Sequence, residues 1–270
     1  MSQHTVAVLG AGKMGELVLS GLLRSGHPAG HLLVTARRAA RAAELAERYG
    51  VTVTGNAEAV TRADIVAVGV KPQDCAALLD EIAPGVTAGK LVVSLCAGLP
   101  TSFFAARLPE GTPVVRVMTN TPAMVGEAMS AISPGPHATD EHVALAESMF
   151  RPLGSTVRVP EYQQDAVTAL SGSGPAYFYL MVEAMIEAGV LLGLPRRTAQ
   201  ELIVQTAVGS AAMLRDSGEH PVQLREAVTS PAGTTAAALR EMENHGVRAA
   251  LASALEAARD RAREIAAQAK

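Results

Sequence analysis

Two short stretches of this chain combine residue types and spacings that can do chemistry. Near the end, Ser230-Pro231-Ala232-Gly233-Thr234-Thr235 runs into the helix-forming Ala236-Ala237-Ala238-Leu239-Arg240-Glu241. Ser230 followed by Pro231 reads as an N-cap with proline at the first helical position, which puts Gly233, Thr234 and Thr235 on the first turn. Backbone N–H groups there lack intrahelical partners and carry the positive end of the helix dipole. With two hydroxyls and a glycine that admits close approach, such a turn suits a small carboxylate. For a lone S-P-x-G the plainer reading is an ordinary capped helix, so the rest of the chain must decide.

Near the start, Thr5-Val6-Ala7-Val8-Leu9 is a short β-rich run, Gly10-Ala11-Gly12-Lys13-Met14-Gly15 follows at once, and helical spacing takes over from Glu16. Strand, G-x-G-x-x-G and helix in this order form a dinucleotide fingerprint. Gly10 permits the tight turn, Gly12 lets backbone reach a pyrophosphate, and Gly15 packs helix on strand. A second strand, Leu32-Leu33-Val34-Thr35, ends in Ala36-Arg37-Arg38, with no acid until Glu44. An acid at that point binds a ribose 2′-hydroxyl, whereas guanidinium groups suit a 2′-phosphate. NADP(H) is therefore favoured over NAD(H); the alternative is that Arg37, Arg38 and Arg41 form the solvated face of the next helix.

The elements that must position these residues follow from the apolar pattern. Ile65-Val66-Ala67-Val68-Gly69-Val70 is near-continuously apolar, as a parallel strand buried on both faces should be. It stops at Lys71-Pro72, where a helix begins. Val51-Thr52-Val53 precedes a short helix opened by Gly55-Asn56, and Leu91 to Leu95 forms a strand ending in Cys96-Ala97-Gly98. Val114 to Met118, Ala128 to Ile132 and Ser155 to Val159 are further strands, with a helix over 140–150 between the last two. Alternating strands and helices argue for an open, mainly parallel sheet, with ligands at the carboxyl ends of its strands. Strand signals cease at Pro160-Glu161. Beyond them the chain reads as all helix, with helices over 177–192, 196–215, 222–228 and 247–268. The first of these is apolar around most of its circumference, which calls for burial from several sides, as by a second subunit. The fold class is thus α/β, with a dinucleotide-binding domain over 1–160 and an all-α domain over 161–270.

Whole-chain properties exclude several classes. The 270 residues carry 23 Lys plus Arg against 26 Asp plus Glu, a net charge of −3, and only 3% are aromatic, so no nucleic-acid footprint is visible. No leader or membrane span is read in the sequence, since Met1-Ser2-Gln3-His4-Thr5 leads directly into a strand and the apolar runs are interrupted too early. Cys75 and Cys96 lack metal spacing, and a reducing cytoplasm is expected. The seven histidines show no metal-binding pairing. Cys96 is more often a small buried apolar residue than a nucleophile.

Gly10-Ala11-Gly12-Lys13-Met14-Gly15, Val70-Lys71-Pro72, Asn120-Thr121-Pro122, Leu170-Ser171-Gly172-Ser173-Gly174-Pro175-Ala176-Tyr177, Gly193-Leu194-Pro195-Arg196 and Val228-Thr229-Ser230-Pro231-Ala232-Gly233-Thr234-Thr235 stand in the order and spacing of pyrroline-5-carboxylate reductases. The chain resembles that family over nearly its whole length. The resemblance implies a Rossmann domain followed by a helical domain that interlocks in a homodimer, often assembling further into decamers. It implies reduction of 1-pyrroline-5-carboxylate to L-proline, the last step of proline synthesis, with NADPH or NADH. It assigns the pyrophosphate to Gly10, Ala11, Gly12, Lys13, Met14 and Gly15, and the adenosine side to Thr35, Arg37, Arg38 and Asn56. Val70, Lys71, Pro72, Cys96 and Ala97 flank the nicotinamide. Glu161 lies near the substrate, and Ser230, Gly233, Thr234 and Thr235 receive its carboxylate, with Thr235 as the catalytic hydroxyl. Two positions depart from the family's pattern: Ala232 replaces a glycine and Thr119 a proline. A β-hydroxyacid-dehydrogenase-like enzyme with the same two-domain plan would carry a lysine in the helical half, and 163–240 contain none. A non-catalytic NADP-sensing scaffold would show a damaged substrate turn, yet Ser230, Gly233 and Thr235 are intact.

Overall fold

The computed structural model describes residues 3–268; Met1, Ser2 and the last two residues, Lys270 among them, lie outside the described part. Eight strands form one sheet: β1 (Val6–Leu9), β2 (Leu32–Thr35), β3 (Thr52–Val53), β4 (Ile65–Val68), β5 (Leu91–Ser94), β6 (Val114–Met118), β7 (Ala128–Pro134) and β8 (Gly154–Arg158). The order is β3-β2-β1-β4-β5-β6-β7-β8. Every pairing is parallel except β6 with β7. Between them run α1 (Lys13–Arg24), α2 (Ala39–Tyr49), α3 (Asn56–Arg62), α4 (Pro72–Ile82), α5 (Thr101–Ala105) and α6 (Asp140–Phe150).

The apolar runs seen in the sequence become strands buried on both faces. Val6, Val8, Leu32, Val34, Ile65, Ala67, Leu91 and Val93 face one core, and Ala7, Leu9, Leu33, Val66, Val68 and Val92 face the other. Each fully buried Leu, Ile or Val stabilises the fold by about 1.5–3 kcal/mol before ordering costs. The strand order reverses between β1 and β4, the switch point at which such sheets open a crevice beyond their carboxyl ends.

After β8, α7 (Gln164–Val167) leads into a π-type turn over Thr168–Gly172. The hydroxyls of Thr168 and Ser171 donate back to the carbonyls of Gln164 and Val167, at 2.8 and 3.1 Å, and Ser173 N–H reaches the Thr168 carbonyl at 2.8 Å. Such back-bonding competes with the regular α pattern. The described chain divides into two compact units, residues up to Ser173 with those from Ala257 onward, and Gly174–Glu256. The second contains α8 (Gly174–Leu191), α9 (Arg196–Asp216), α10 (Pro221–Ala227) and α11 (Thr234–Asn244), while α12 (Val247–Gln268) contributes to both. Gly189 lies where an added Cβ would come within 3.0 Å of Ala199 Cβ, so α8 and α9 pack closely there. Among the described residues no helix is long and apolar enough to cross a membrane.

Candidate active site

The switch point carries a cleft of about 860 Å³. Its floor is the glycine turn. Gly10 has φ 84°, and a Cβ there would stand 2.5 Å from Val70 Cγ1, so only glycine lets the turn pass between β1 and β4. Gly12, the N-cap of α1, has nothing within 4 Å of an added Cβ and no side-chain cap. The first N–H groups of α1 are therefore left for a ligand, and Gly12 itself lines the cleft. A Cβ on Gly15 would stand 2.6 Å from the Gly10 carbonyl oxygen, which is the helix-on-strand contact assigned to it.

Thr35 ties this floor to β2. Its hydroxyl accepts from Gly10 N–H at 3.2 Å and its carbonyl from Ala11 N–H at 3.1 Å. Arg37, Arg38 and Asn56 line the same cleft, as do Val70 and Lys71. The floor and these residues fit a dinucleotide. Lys13, Met14, Gly15, Pro72, Cys96 and Ala97 are not on the cleft lining. Cys96 is buried behind Val70, its thiol 3.4 Å from the Val70 carbonyl and 3.8 Å from the Cys75 sulfur. The Cys75 thiol, together with burial, pushes the Cys96 thiol well above its ordinary range.

Arg41, named in the sequence only as part of a solvated helix face, and two acids not singled out there complete the cleft. Arg41 donates to the Ala11 carbonyl at 3.3 Å, ion-pairs with Glu44 at 2.8 Å and pairs with Glu16. It braces the turn from the cleft wall. Asp74 and Glu81 of α4 form the facing wall, Asp74 paired with Arg37 at 3.2 Å and Glu81 accepting from Asn56 at 3.0 Å. Their separation by seven residues, two helical turns on one face, was the signal available in the sequence.

Glu161 stands elsewhere in the first unit. Its carboxylate accepts from the N–H of Thr101 at 2.6 Å and the Thr101 hydroxyl at 2.7 Å, and faces the buried Arg116 at 3.6 Å. It thereby fixes the start of α5, downstream of the Cys96-Ala97-Gly98 loop. Asn120 at the end of β6 donates to the Ser171 carbonyl at 3.0 Å and accepts from Met129 N–H at 3.1 Å. Two of the motif stretches are thus joined through the π-type turn. Thr119, the residue at the family's proline position, shares a 2.8 Å hydrogen bond with the buried Ser130 hydroxyl.

The Ser230 turn corrects one expectation. The helix does not begin at Ser230; α11 starts at Thr234 with Gly233 as N-cap. Gly233 N–H donates to the Ser230 carbonyl at 3.0 Å, closing a turn in which Ala232 takes φ 59°. A left-handed residue ends helical geometry, so the helix must start after it. A Cβ on Gly233 would overlap the Ser230 hydroxyl and come 3.1 Å from the Ser230 carbonyl oxygen, so a side chain there would push that hydroxyl out of its place. Gly233, Thr234 and Thr235 nonetheless stand at a helix start with no side-chain cap, as the carboxylate argument requires.

Comparison with known proteins then settles the family. Residues 161–265 match the family model described as pyrroline-5-carboxylate reductase dimerisation, and residues 5–98 match NADP oxidoreductase coenzyme F420-dependent. Pyrroline-5-carboxylate reductase of Mycobacterium tuberculosis is 42% identical over 283 residues, covering 96% of either chain. The chain belongs to the pyrroline-5-carboxylate reductase family. The Methanosarcina acetivorans member is 40% identical over 98% of this chain and 99% of its own. The Coxiella burnetii reductase superposes with a TM-score of 0.92 at 34% identity, covering 97% of this chain and 98% of its own. The Plasmodium falciparum reductase, solved with NADP bound, gives 0.89 at 28% identity over 98% of this chain and 99% of its own. As a pyrroline-5-carboxylate reductase family member the chain is an NAD(P)H-dependent oxidoreductase.

Proposed function

We propose that this chain reduces 1-pyrroline-5-carboxylate to L-proline with NADPH, and less readily with NADH, as the final step of proline biosynthesis. The observation that carries the reading is the start of α11, where uncapped N–H groups stand beside two threonine hydroxyls in a member of this family. Gly10, Ala11, Gly12, Lys13, Met14 and Gly15 hold the pyrophosphate. Thr35, Arg37, Arg38 and Asn56 take the adenosine side, and Val70, Lys71, Pro72, Cys96 and Ala97 the nicotinamide side. Ser230, Gly233, Thr234 and Thr235 bind the substrate carboxylate. Glu161 belongs to the substrate side through the segment it fixes at Thr101.

When bound, NADPH supplies a hydride to the imine carbon. The carbon–nitrogen π bond opens onto nitrogen, which carries a proton already or takes one from water. The protein's share is proximity and orientation. The helix start fixes the carboxylate, and the Thr235 hydroxyl hydrogen-bonds the ring nitrogen as its charge changes.

In the same proposal, residues 1–160 form the NADP(H)-binding domain and 161–270 the substrate and dimerisation domain. Phe178, Tyr179, Leu180, Leu191 and Leu192 of the second unit are exposed in the single chain, which supports pairing with a second copy. Decameric assembly of such dimers and a cytoplasmic site of action complete the reading.

NADPH and NADH oxidation with 1-pyrroline-5-carboxylate and with its six-membered homologue tests it. Turnover of the five-membered imine, faster with NADPH, is expected; NADPH binding without turnover of any imine overturns the reading. Thr235→Ala should lower kcat about tenfold or more. A change confined to KM would make Thr235 a binding residue only.

A further inference from the structure

Three arginines line the adenosine end of the cleft, and they are committed to different degrees. Arg41 is engaged by Glu16, Glu44 and the Ala11 carbonyl. Arg38 has no ion-pair partner among the described residues. Arg37 reaches across the opening from the end of β2 to Asp74, in the first turn of α4, at 3.2 Å. The Arg37 side chain is 82% exposed and that of Asp74 33%, so the pair spans the mouth of the cleft rather than its base.

We propose that Asp74 sets how strongly this site discriminates between a ribose with and without a 2′-phosphate. The inference rests on Arg37 being a 2′-phosphate ligand. Asp74 holds one terminal nitrogen of Arg37, so a phosphate dianion that takes the guanidinium by a paired N–H fork draws it off the carboxylate. The carboxylate then remains beside the dianion without its counter-charge, and like charges at that range repel through a partly screened medium. An unphosphorylated ribose makes no such demand. Arg37 stays where it is, and the carboxylate keeps its capacity to accept a hydroxyl hydrogen bond. Asp74 thus works against the phosphorylated cofactor and holds the preference of an arginine-lined site to a moderate value. The same wall carries Glu81, held by Asn56 two turns further along α4, so both acids on this helix face stand opposite the adenosine side.

The test uses binding of two fragments, adenosine 2′,5′-bisphosphate and 5′-AMP, to the full chain by calorimetry. The wild type, Asp74→Asn and Arg37→Ala are compared at low and high salt. Asp74→Asn is expected to tighten the bisphosphate about three- to tenfold relative to 5′-AMP, with the gain shrinking as salt rises. Arg37→Ala is expected to weaken the bisphosphate selectively. If Asp74→Asn leaves the ratio unchanged or lowers it while Arg37→Ala abolishes discrimination, Asp74 merely presents Arg37 and this proposal falls alone. If Arg37→Ala leaves discrimination intact, the 2′-phosphate role of Arg37 falls and this inference with it. Coincident thermal melting of the three proteins establishes that each ratio is read on a folded chain.

Discussion

Glu161 closes two hydrogen bonds onto Thr101, sixty residues earlier, while facing the guanidinium of Arg116. Arg116 is buried to 5% exposure, and burial holds its pKa below the ordinary arginine value against the pull of Glu161 and Asp165. Removing one partner of a buried pair costs more than the pair itself contributes, because the other charge is stranded. Glu161→Ala should therefore destabilise the protein by about 2–4 kcal/mol in urea denaturation, since Asp165 at 3.9 Å compensates only in part. A loss below about 0.5 kcal/mol would show that Arg116 is solvated in solution.

Ala232 offers a gain instead. A non-glycine residue at φ 59° is strained by about 1 kcal/mol, and glycine relieves that strain while adding freedom to the unfolded chain. Ala232→Gly is expected to stabilise by about 0.5 kcal/mol and to leave turnover within a few-fold. Gly233→Ala should act in the opposite sense, because its Cβ overlaps the Ser230 hydroxyl. It should raise the KM for the imine at least tenfold with little change in the KM for NADPH, a split that steady-state kinetics reads directly.

Acid sensitivity should be traceable to His27. The ring is buried to 4% exposure, neither of its nitrogens has a hydrogen-bond partner among the described residues, and it stands edge-on to His31 at 6.3 Å. Burial, and next the charge of His31, lower its pKa. The folded pKa then lies under the unfolded one, so the unfolded chain binds the extra proton and stability falls with falling pH. The loss should begin below about pH 6.5, the unfolded value, and continue until the folded pKa is passed. His27→Gln should flatten this part of the profile in melts between about pH 7.5 and pH 5.5.

The two thiols should be inert in the native protein. Cys75 and Cys96 are both buried, and each is the other's neighbour at 3.8 Å. With the Cys96 thiol held well above its ordinary range, little thiolate exists near neutral pH. Neither cysteine should react with an aromatic disulfide reagent until denaturant is added, when both should react at once. Prompt labelling of the folded protein would contradict this.

How much of this was legible in the sequence depends on the range of the interaction. The strands announced themselves because Ile65 to Val68 is apolar at every position, which only a strand covered on both faces needs. The glycine turn was legible in part because Gly15 meets Gly10 and Val8 of its own strand and turn; the Val70 that Gly10 meets lies sixty residues away. The start of α11 was misread because Ser-Pro is as good an opening for a tight turn as for a helix, and the left-handed Ala232 that decides between them has no signature in an alanine. The pairings of Arg37 with Asp74, Glu161 with Thr101 and Asn120 with Ser171 join residues 37 to 60 positions apart. No periodicity encodes such pairs; they exist only once the sheet sets strand ends side by side.

The last turns of α12 have a consequence for the order in which the chain acquires its structure. Gly98, with φ 79° in the loop after β5, lies under this helix so closely that a Cβ would come 3.1 Å from Ile265 Cγ2, and Ala262 is buried there. The sheet strands all precede residue 160, yet the loop at Gly98 is covered by residues more than a hundred and sixty positions further on. During synthesis the sheet can therefore assemble long before this loop is clamped. Until α12 has left the ribosome, the nascent chain holds a nucleotide fold whose Cys96-Ala97-Gly98 loop is without its cover, and cofactor capture by an arrested chain should lag behind sheet formation.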